Sequence, residues 1–297
     1  MYTSDTQSSL KKFILNSYNG TLAPSESANL RILLATSAAS AGIHSKHCVA
    51  VFKYGFPRSL VDLVQELGRA GRRSVLTEDL SDSYKLFVNV QLYCSLLTQI
   101  YKQGGEGEDN NNNDSSDTIF MKESIDNLHQ VLKFVVAPGK CQHLFLENYL
   151  TNRNGVQTDL SACECEKQCY YCVSRAEHSV LATKLVNRKV IIEGLTRLFS
   201  NGYVSVNEVQ KWFKQNEAKL WPTDQLNGWD RPTLAQICVL RLLSLSFFDV
   251  KVNVAEKGNA TNKVKVKFSM VSFDKQTSEG ILYNHQIDLN WNLMTWI

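Results

Sequence analysis

The chain has 297 residues, 43% hydrophobic and 21% charged, with a formal net charge of +3. That length holds two or three small domains, and the charge is too small for a global field that would hold a polyanion, so contact with nucleic acid has to come from local patches. No apolar run is long enough to cross a bilayer, and the opening MYTSDTQSSLKKFILN is too polar for a secretory signal, so the expected compartment is intracellular and reducing.

Residues 10–18 have the apolar spacing of a helix. Residues 31–35 (RILLA) and 48–52 (CVAVF) are continuous apolar runs, the pattern of strands buried on both faces of a parallel sheet, and 60–67 return to helical spacing. This is βα order, with too few strands for a complete doubly wound sheet. A helical stretch is expected through 84–101. It is interrupted by GGEGEDNNNNDSSD (104–117), which has no apolar residue to offset its ordering entropy and is expected as a disordered surface loop. Helical spacing resumes at Ile125, Leu128, Val131, Leu132 and Val135, up to Pro138-Gly139. A cysteine cluster fills 141–172. Beyond it, residues 185–199, 206–213 and 234–245 read as helices, the last opened by Pro232-Thr233. Residues 248–254 and 264–268 alternate as two strands about a Gly/Asn-rich turn near Gly258. Three helices followed by a β-hairpin is the order of a winged helix. Residues 281–297, with Trp291 and Trp296, are expected to pack back as an extra strand.

The expected division is therefore 1–80 as the distal part of an α/β lobe with a parallel sheet, 81–140 as a helical segment, 141–173 as a metal-binding subdomain, 180–275 as an α+β winged-helix-like domain and 276–297 as a C-terminal extension. Of eight cysteines, five (Cys141, Cys163, Cys165, Cys169, Cys172) sit in one stretch. In a reducing compartment such a cluster points to metal or redox chemistry. Cys169-x-x-Cys172 gives a two-thiolate bite, and Cys141 with either Cys163 or Cys165 completes a tetrahedron. A redox pair needs a βαβ setting that these surroundings do not supply, so structural zinc is preferred. His143 is a competing ligand, but a helical histidine is more often simply solvated. Cys48, Cys94 and Cys238 lie among apolar neighbours and read as small buried hydrophobes.

Gln65-x-x-Gly68-Arg69-x-Gly71-Arg72 places a glutamine and two arginines on a short helix and its end. Gly68 and Gly71 admit a neighbouring surface, and the guanidinium groups can reach a phosphate with planar, bidentate donors. An arginine inserted against a γ-phosphate stabilises the charge that builds there, worth a rate factor of about 10³–10⁵. An arginine-rich helix is usually a solvated face. Here two apolar strands precede it, with the polar turn Ala35-Thr36-Ser37 after the first.

The segment ILLATSAASAGIHSKHCVAVFKYGFPRSLVDLVQELGRAGRRS resembles motifs V and VI of superfamily 2 helicases and is most similar to the RecQ branch. The resemblance implies a RecA-like lobe in which Arg69 and Arg72 face the phosphates of ATP, held with Mg2+ by another lobe. Gln65, with Gly68 and Gly71 beside it, would contact nucleotide or its neighbours, and Thr36 with Gly42-Ile43 would couple nucleotide to the DNA backbone. The chain departs from the branch in carrying His44 where an acid is usual, and Arg73-Ser74 after the last motif. It contains no Gly-x-x-x-x-Gly-Lys-Ser/Thr phosphate loop and no Asp-Glu-x-His-type magnesium motif. It is therefore expected not to hydrolyse ATP alone, either as a truncated product of a longer helicase or as a degenerate relative kept for binding.

KCQHLFLENYL followed by clustered cysteines is similar to the RecQ zinc subdomain, with the spacing Cys165-x-x-x-Cys169-x-x-Cys172 one residue longer than the family's. Cys141, Cys165, Cys169 and Cys172 are the expected ligands of a structural Zn2+, whose binding at about 10–16 kcal/mol would decide whether the subdomain folds. In that family a winged helix follows and grips duplex DNA at the fork. Arg231, Gln236 and Arg241 on the third helix, and Lys265 and Lys267 on the hairpin with Lys263 nearby, are the candidate phosphate or base contacts. The hairpin lysines read equally well as protection of an edge strand. Two functions follow. One is part of an ATP-dependent 3′–5′ DNA helicase of repair and recombination, nuclear by implication. The other is an inactive zinc and winged-helix module that binds DNA or a protein. An RNA helicase would share the arginine motif and leave the cysteines unexplained.

Overall fold

The structure, a computed structural model, describes residues 2–19, 21, 30–36, 48–70, 84–105, 115–136, 141–151, 172, 188–200, 202–221, 230–253 and 265–270. Its elements are α1 (Ser8–Asn19), β1 (Val51–Tyr54), α2 (Leu60–Leu67), β2 (Tyr84–Phe87), α3 (Val90–Gly105), α4 (Ser115–Val135), α5 (Gln142–Thr151), α6 (Arg188–Leu198), β3 (Val204–Ser205), α7 (Val206–Leu220), α8 (Arg231–Ser244), β4 (Phe248–Asn253) and β5 (Lys265–Met270).

The N-terminal part is a β1–α2–β2 unit. The two strands run parallel, from Val51 opposite Tyr84 to Tyr54 opposite Phe87. A parallel pair needs a crossover, and α2 supplies it with Leu60 and Leu63 fully buried. β2 corrects the expected helix over 84–101: Tyr84–Phe87 is strand, and helix begins only at Val90. The sequence YKLFV suits a strand as well as a helix, and pairing with β1 decides the matter. Asn89 then starts α3, its side-chain oxygen accepting the Leu92 N–H at 2.8 Å. The sheet thus extends past the boundary expected at residue 80.

The expected strand over 31–35 is not formed. Its one pairing among the described residues is an isolated parallel bridge, Tyr2 to Ala35, with the Tyr2 N–H donating to Leu34 O at 2.8 Å and the Thr36 N–H to Tyr2 O at 3.1 Å. Ile32 and Leu34 are 78% and 68% exposed, the reverse of a buried strand, because no neighbour pairs along them among the described residues. α3 runs on to Gly105, and α4 begins at Ser115, ten residues before the spacing that predicts it; residues 106–114 of the expected loop lie outside the described residues.

The C-terminal part has the order helix–strand–helix–helix–strand–strand, and β3, β5 and β4 form an antiparallel sheet in that spatial order. Val250 faces Phe268, and Lys251 faces Lys267, across β4 and β5. Local signals set the helix starts. Ser205 and Glu208 form a reciprocal capping box at α7, and Asp230 caps α8 by accepting the Thr233 N–H at 2.8 Å, with Pro232 in the first turn. β3 carries no sequence signal, since two residues cannot show a period. The hairpin turn near Gly258 and the expected extra strand over 281–297 lie outside the described residues.

One hydrophobic cluster joins the two parts, running from Phe56, Leu60 and Leu63 through Leu128 and Leu132 to Leu240 and Phe268. Helix α8 is its hub. Eight of its 14 residues are buried, as expected for a helix that is apolar nearly all round. Cys94 and Cys238 are buried in this cluster, and burial pushes both thiols up to about 12, in keeping with small core residues.

Candidate nucleotide and nucleic-acid sites

The arginine-bearing end of α2 is fixed from three directions. Before it, Gly55 turns the chain at φ +97° and donates its N–H to Phe87 O at 2.8 Å, while buried Phe56 meets the Tyr93 ring edge-on at 5.7 Å. Ser59 caps the helix, its Oγ accepting the Asp62 N–H at 3.0 Å. On the sheet side, Glu66 accepts from Lys53 Nζ at 2.6 Å and from Tyr84 Oη at 3.1 Å. One carboxylate thus ties α2 to both strands. Burial, then the Glu66 charge, pushes the Tyr84 hydroxyl well above its ordinary range, so it remains a donor to Glu66 at any physiological pH.

The helix ends at Gly68, with the Gly68 N–H on Val64 O, Arg69 N–H on Glu66 O and Ala70 N–H on Leu67 O. Gln65 and Gly68 are exposed, and Arg69 is half-buried. The Gly68 backbone is ordinary at φ −64°, and an added Cβ would meet Val64 O at 3.4 Å and Gln65 O at 3.9 Å, both ordinary contacts. Neither conformation nor crowding among the described residues requires glycine there. Thr36 is exposed on the bridged segment, and Gly42, Gly71 and Arg72 lie outside the described residues.

Of the four expected zinc ligands, Cys141 and Cys172 are described and both are buried. Cys141 precedes α5, and its Sγ accepts the Leu144 N–H at 3.4 Å while its carbonyl takes the Phe145 N–H. A cysteine sulfur that accepts an amide N–H at a helix N-terminus is a position that metal ligands take. α5 is held to α4 by the edge-on rings of Phe134 and Phe145 at 5.5 Å. Cys165, Cys169 and the alternative Cys163 lie outside the described residues.

The α8 candidates are placed elsewhere than expected. Arg231 donates from Nε to Trp221 O at 3.3 Å and lies 4.0 Å from Glu217. Arg241 donates to Val136 O at 3.2 Å, just past the end of α4, and Gln236 accepts the Val90 N–H at 3.1 Å at the start of α3. All three make contacts that join parts of the chain to one another. A helix at the centre of a core has little free surface for a groove.

The sheet carries a different cationic feature. Lys251 and Lys267 stand directly opposite each other on the outer face, and Lys251 Nζ lies 5.4 Å from the centroid of the Tyr203 ring, which is 43% exposed. Like charges at facing positions oppose each other unless an anion lies between them. Lys265 is the β5 residue facing Asn253. The sequence showed the lysine alternation in β5; the Lys251 and Tyr203 partners, and the Lys53–Glu66–Tyr84 anchor, arise from residues far apart in the chain.

Comparison with curated proteins finds no match to the chain. Residues 1–74, a quarter of its length, match the family model described as helicase conserved C-terminal domain, which takes in α1, the bridged segment, β1 and α2 with its glutamine and arginine motif. That stretch is similar to the helicase C-terminal domain, a RecA-like α/β class of domain that in general binds nucleotide and nucleic acid.

Proposed function

We propose that the chain acts as the C-terminal portion of a RecQ-type 3′–5′ DNA helicase, working in the nucleus in repair and recombination. Gln65, Arg69 and Arg72 present the nucleotide-sensing edge of the lobe, with Gly68 and Gly71 leaving room for an opposing surface, and Thr36 with Gly42 link nucleotide to the DNA backbone. The observation that carries this reading is the anchored end of α2 within a segment of helicase type. Glu66 locks the helix to both strands, so half-buried Arg69 follows directly on a rigid support, which an arginine acting on a phosphate requires. The exposed Gly68 fits the same reading, since room for a neighbour is useful only if another surface arrives. These 297 residues contain no phosphate loop, so Mg2+ and ATP would be held by a first lobe and this chain alone would not turn ATP over.

Cys141, Cys165, Cys169 and Cys172 would hold a structural zinc ion, which supplies a cross-link between α5 and the following chain. The buried, amide-supported sulfur of Cys141 fits that role. The C-terminal part reads as a winged helix whose sheet face, with Lys265, Lys267 and Lys251, takes the phosphates of DNA, and whose third helix serves the core instead. The alternative, an inactive DNA- or protein-binding module, draws on the missing phosphate loop alone.

The full chain should bind a duplex with a 3′ single-stranded tail, in a salt-dependent manner. Lys251→Ala with Lys267→Ala should weaken that binding about tenfold while leaving the fold intact. DNA-stimulated ATPase activity should be absent. Turnover that is abolished by Arg69→Ala would show a complete motor and overturn the two-lobe reading. Absence of one zinc per chain in purified protein would remove the metal site.

A further inference from the structure

Gly202 sets the entry to β3. Its φ of +94° and its N–H on Phe199 O at 3.0 Å turn the chain after α6. Val204 then pairs with fully buried Phe268 on the inner face of the sheet, so Tyr203 and Ser205 fall on the outer one. Ser205 faces Lys267, and Lys267 faces Lys251, so one row of outward side chains crosses β3, β5 and β4. Tyr203 stands beside that row, two residues before Ser205. Because β5 separates β3 from β4, Lys251 and Tyr203 start about 10 Å apart, two strand spacings, and their side chains meet over the middle strand. There the Lys251 ammonium lies 5.4 Å from the centroid of the phenol ring.

The two cations of the row are not equivalent. Lys267 is half-buried and has a fixed carboxylate near it: Glu208 accepts the Ser205 N–H at 2.9 Å and the Ser205 hydroxyl at 2.6 Å. Those hydrogen bonds, chiefly, and then the charges of Lys267 and Lys211 hold the Glu208 carboxyl below its ordinary 4.5. A carboxylate there offsets the attraction of Lys267 for a second anion. Lys251 is exposed and is held differently, by a ring whose quadrupole attracts a cation without cancelling its charge. A lysine stem left loose loses rotamer freedom when its ammonium meets a phosphate, and one already extended loses less. We infer that Tyr203 is a positioning residue for DNA binding: its ring holds the Lys251 ammonium over β5, beside Lys267, where a backbone phosphate is met. The inference rests on the lysine face being the DNA-binding surface. At 43% exposure, Tyr203 leaves that surface open to a strand.

The test follows binding of a labelled duplex with a 3′ single-stranded tail to the full chain, by fluorescence anisotropy over a range of salt. Lys251→Ala should weaken binding and lower the slope of log affinity against log salt by about 0.9, the share of one phosphate contact. Tyr203→Leu should weaken binding about two- to fivefold and move the slope the same way, whereas Tyr203→Phe, which keeps the ring, should hold it within about twofold. In a Lys251→Ala background Tyr203→Leu should have no further effect, because the ring acts through the lysine. Should the leucine variant fail to fold, Tyr203→Trp, a stronger partner for a cation, should tighten binding about twofold, and only where Lys251 is present. No change on either ring substitution overturns the proposal. So does a change that persists without Lys251, which would make Tyr203 a direct DNA contact. If Lys251→Ala with Lys267→Ala leaves binding unchanged, the lysine face is not the DNA surface, and the proposal falls with that reading.

Discussion

Glu66 illustrates how a residue inside a short motif can serve the fold so that its neighbours can serve the chemistry. It is largely shielded, with 14% of its side chain exposed against 25% for Lys53, so the pair is neither a surface contact nor a sealed one. Glu66→Gln should cost about 1–2 kcal/mol, between the small worth of exposed pairs and the larger loss on breaking buried ones. Lower thermal stability, with Tyr84→Phe costing less, is the expected pattern in thermal melts. A second residue-scale expectation concerns acid. Hydrogen bonds from the Ser205 hydroxyl and backbone, chiefly, hold the Glu208 carboxyl below its ordinary 4.5, and the Thr233 side chain and backbone hold Asp230 below 3.8. Both folded-state values are depressed, so their contribution is present above the ordinary values and lost as pH falls through the depressed ones. The C-terminal part should therefore weaken below about pH 4.5, and Ser205→Ala should flatten that dependence in circular dichroism.

At the scale of elements, α8 is decided by what surrounds it. Its sequence announces a helix start through Asp230 and Pro232, and its apolarity announces burial. Neither says that Gln236 will cap α3 or that Arg241 will donate to the Val136 carbonyl just past α4. Gln236→Leu would leave the Val90 N–H without its partner and should cost about 1–3 kcal/mol, and Arg241→Met, which removes a donor from the carbonyl of buried Val136, should cost a comparable amount. Urea melts of both variants give the comparison. The caps are separable from this packing: Asp230→Ala should cost about 1 kcal/mol, as N-cap losses do. α2 and α8 also differ in legibility for a physical reason. α2 carries a one-sided apolar face and a serine cap, both local. α8 is buried all round, so its few polar groups can only be assigned once the elements they reach are known.

Among the described residues, one face of the parallel sheet is left apolar and exposed. Phe52 and Tyr54 on β1 are 64% and 76% exposed, and Phe87 on β2 is 45% exposed, with the Phe52 and Phe87 rings stacked at 6.4 Å. Parallel strands are ordinarily covered on both faces, so this stripe should promote self-association of the isolated chain. Phe52→Ser with Tyr54→Ser should reduce light scattering at high concentration without lowering the melting temperature. Unchanged scattering would show that the stripe does not drive association. The opposite side of the same sheet is sealed by α2 and the α3–α4 pair, and from there the core continues into the C-terminal part. The lobe and the lysine-bearing sheet are therefore joined through α4 and α8 by packing as well as by chain connectivity.

The sequence by itself determined what depends on neighbours a few residues apart: the helix starts at Ser59, Asp230 and Ser205, the alternation of β4 and β5, the order of the arginine motif, and the burial of Cys94 and Cys238. Tertiary structure decided what depends on pairing. Tyr84–Phe87 became a strand because β1 lay alongside, residues 31–34 stayed out of one because no described residue did, and Arg231, Gln236 and Arg241 found partners on other parts of the chain because α8 sits at the centre of the core. Local preference fixes a residue's options within a turn of helix. A long-range contact selects among them, because burying or satisfying a polar group depends on groups the sequence does not place nearby.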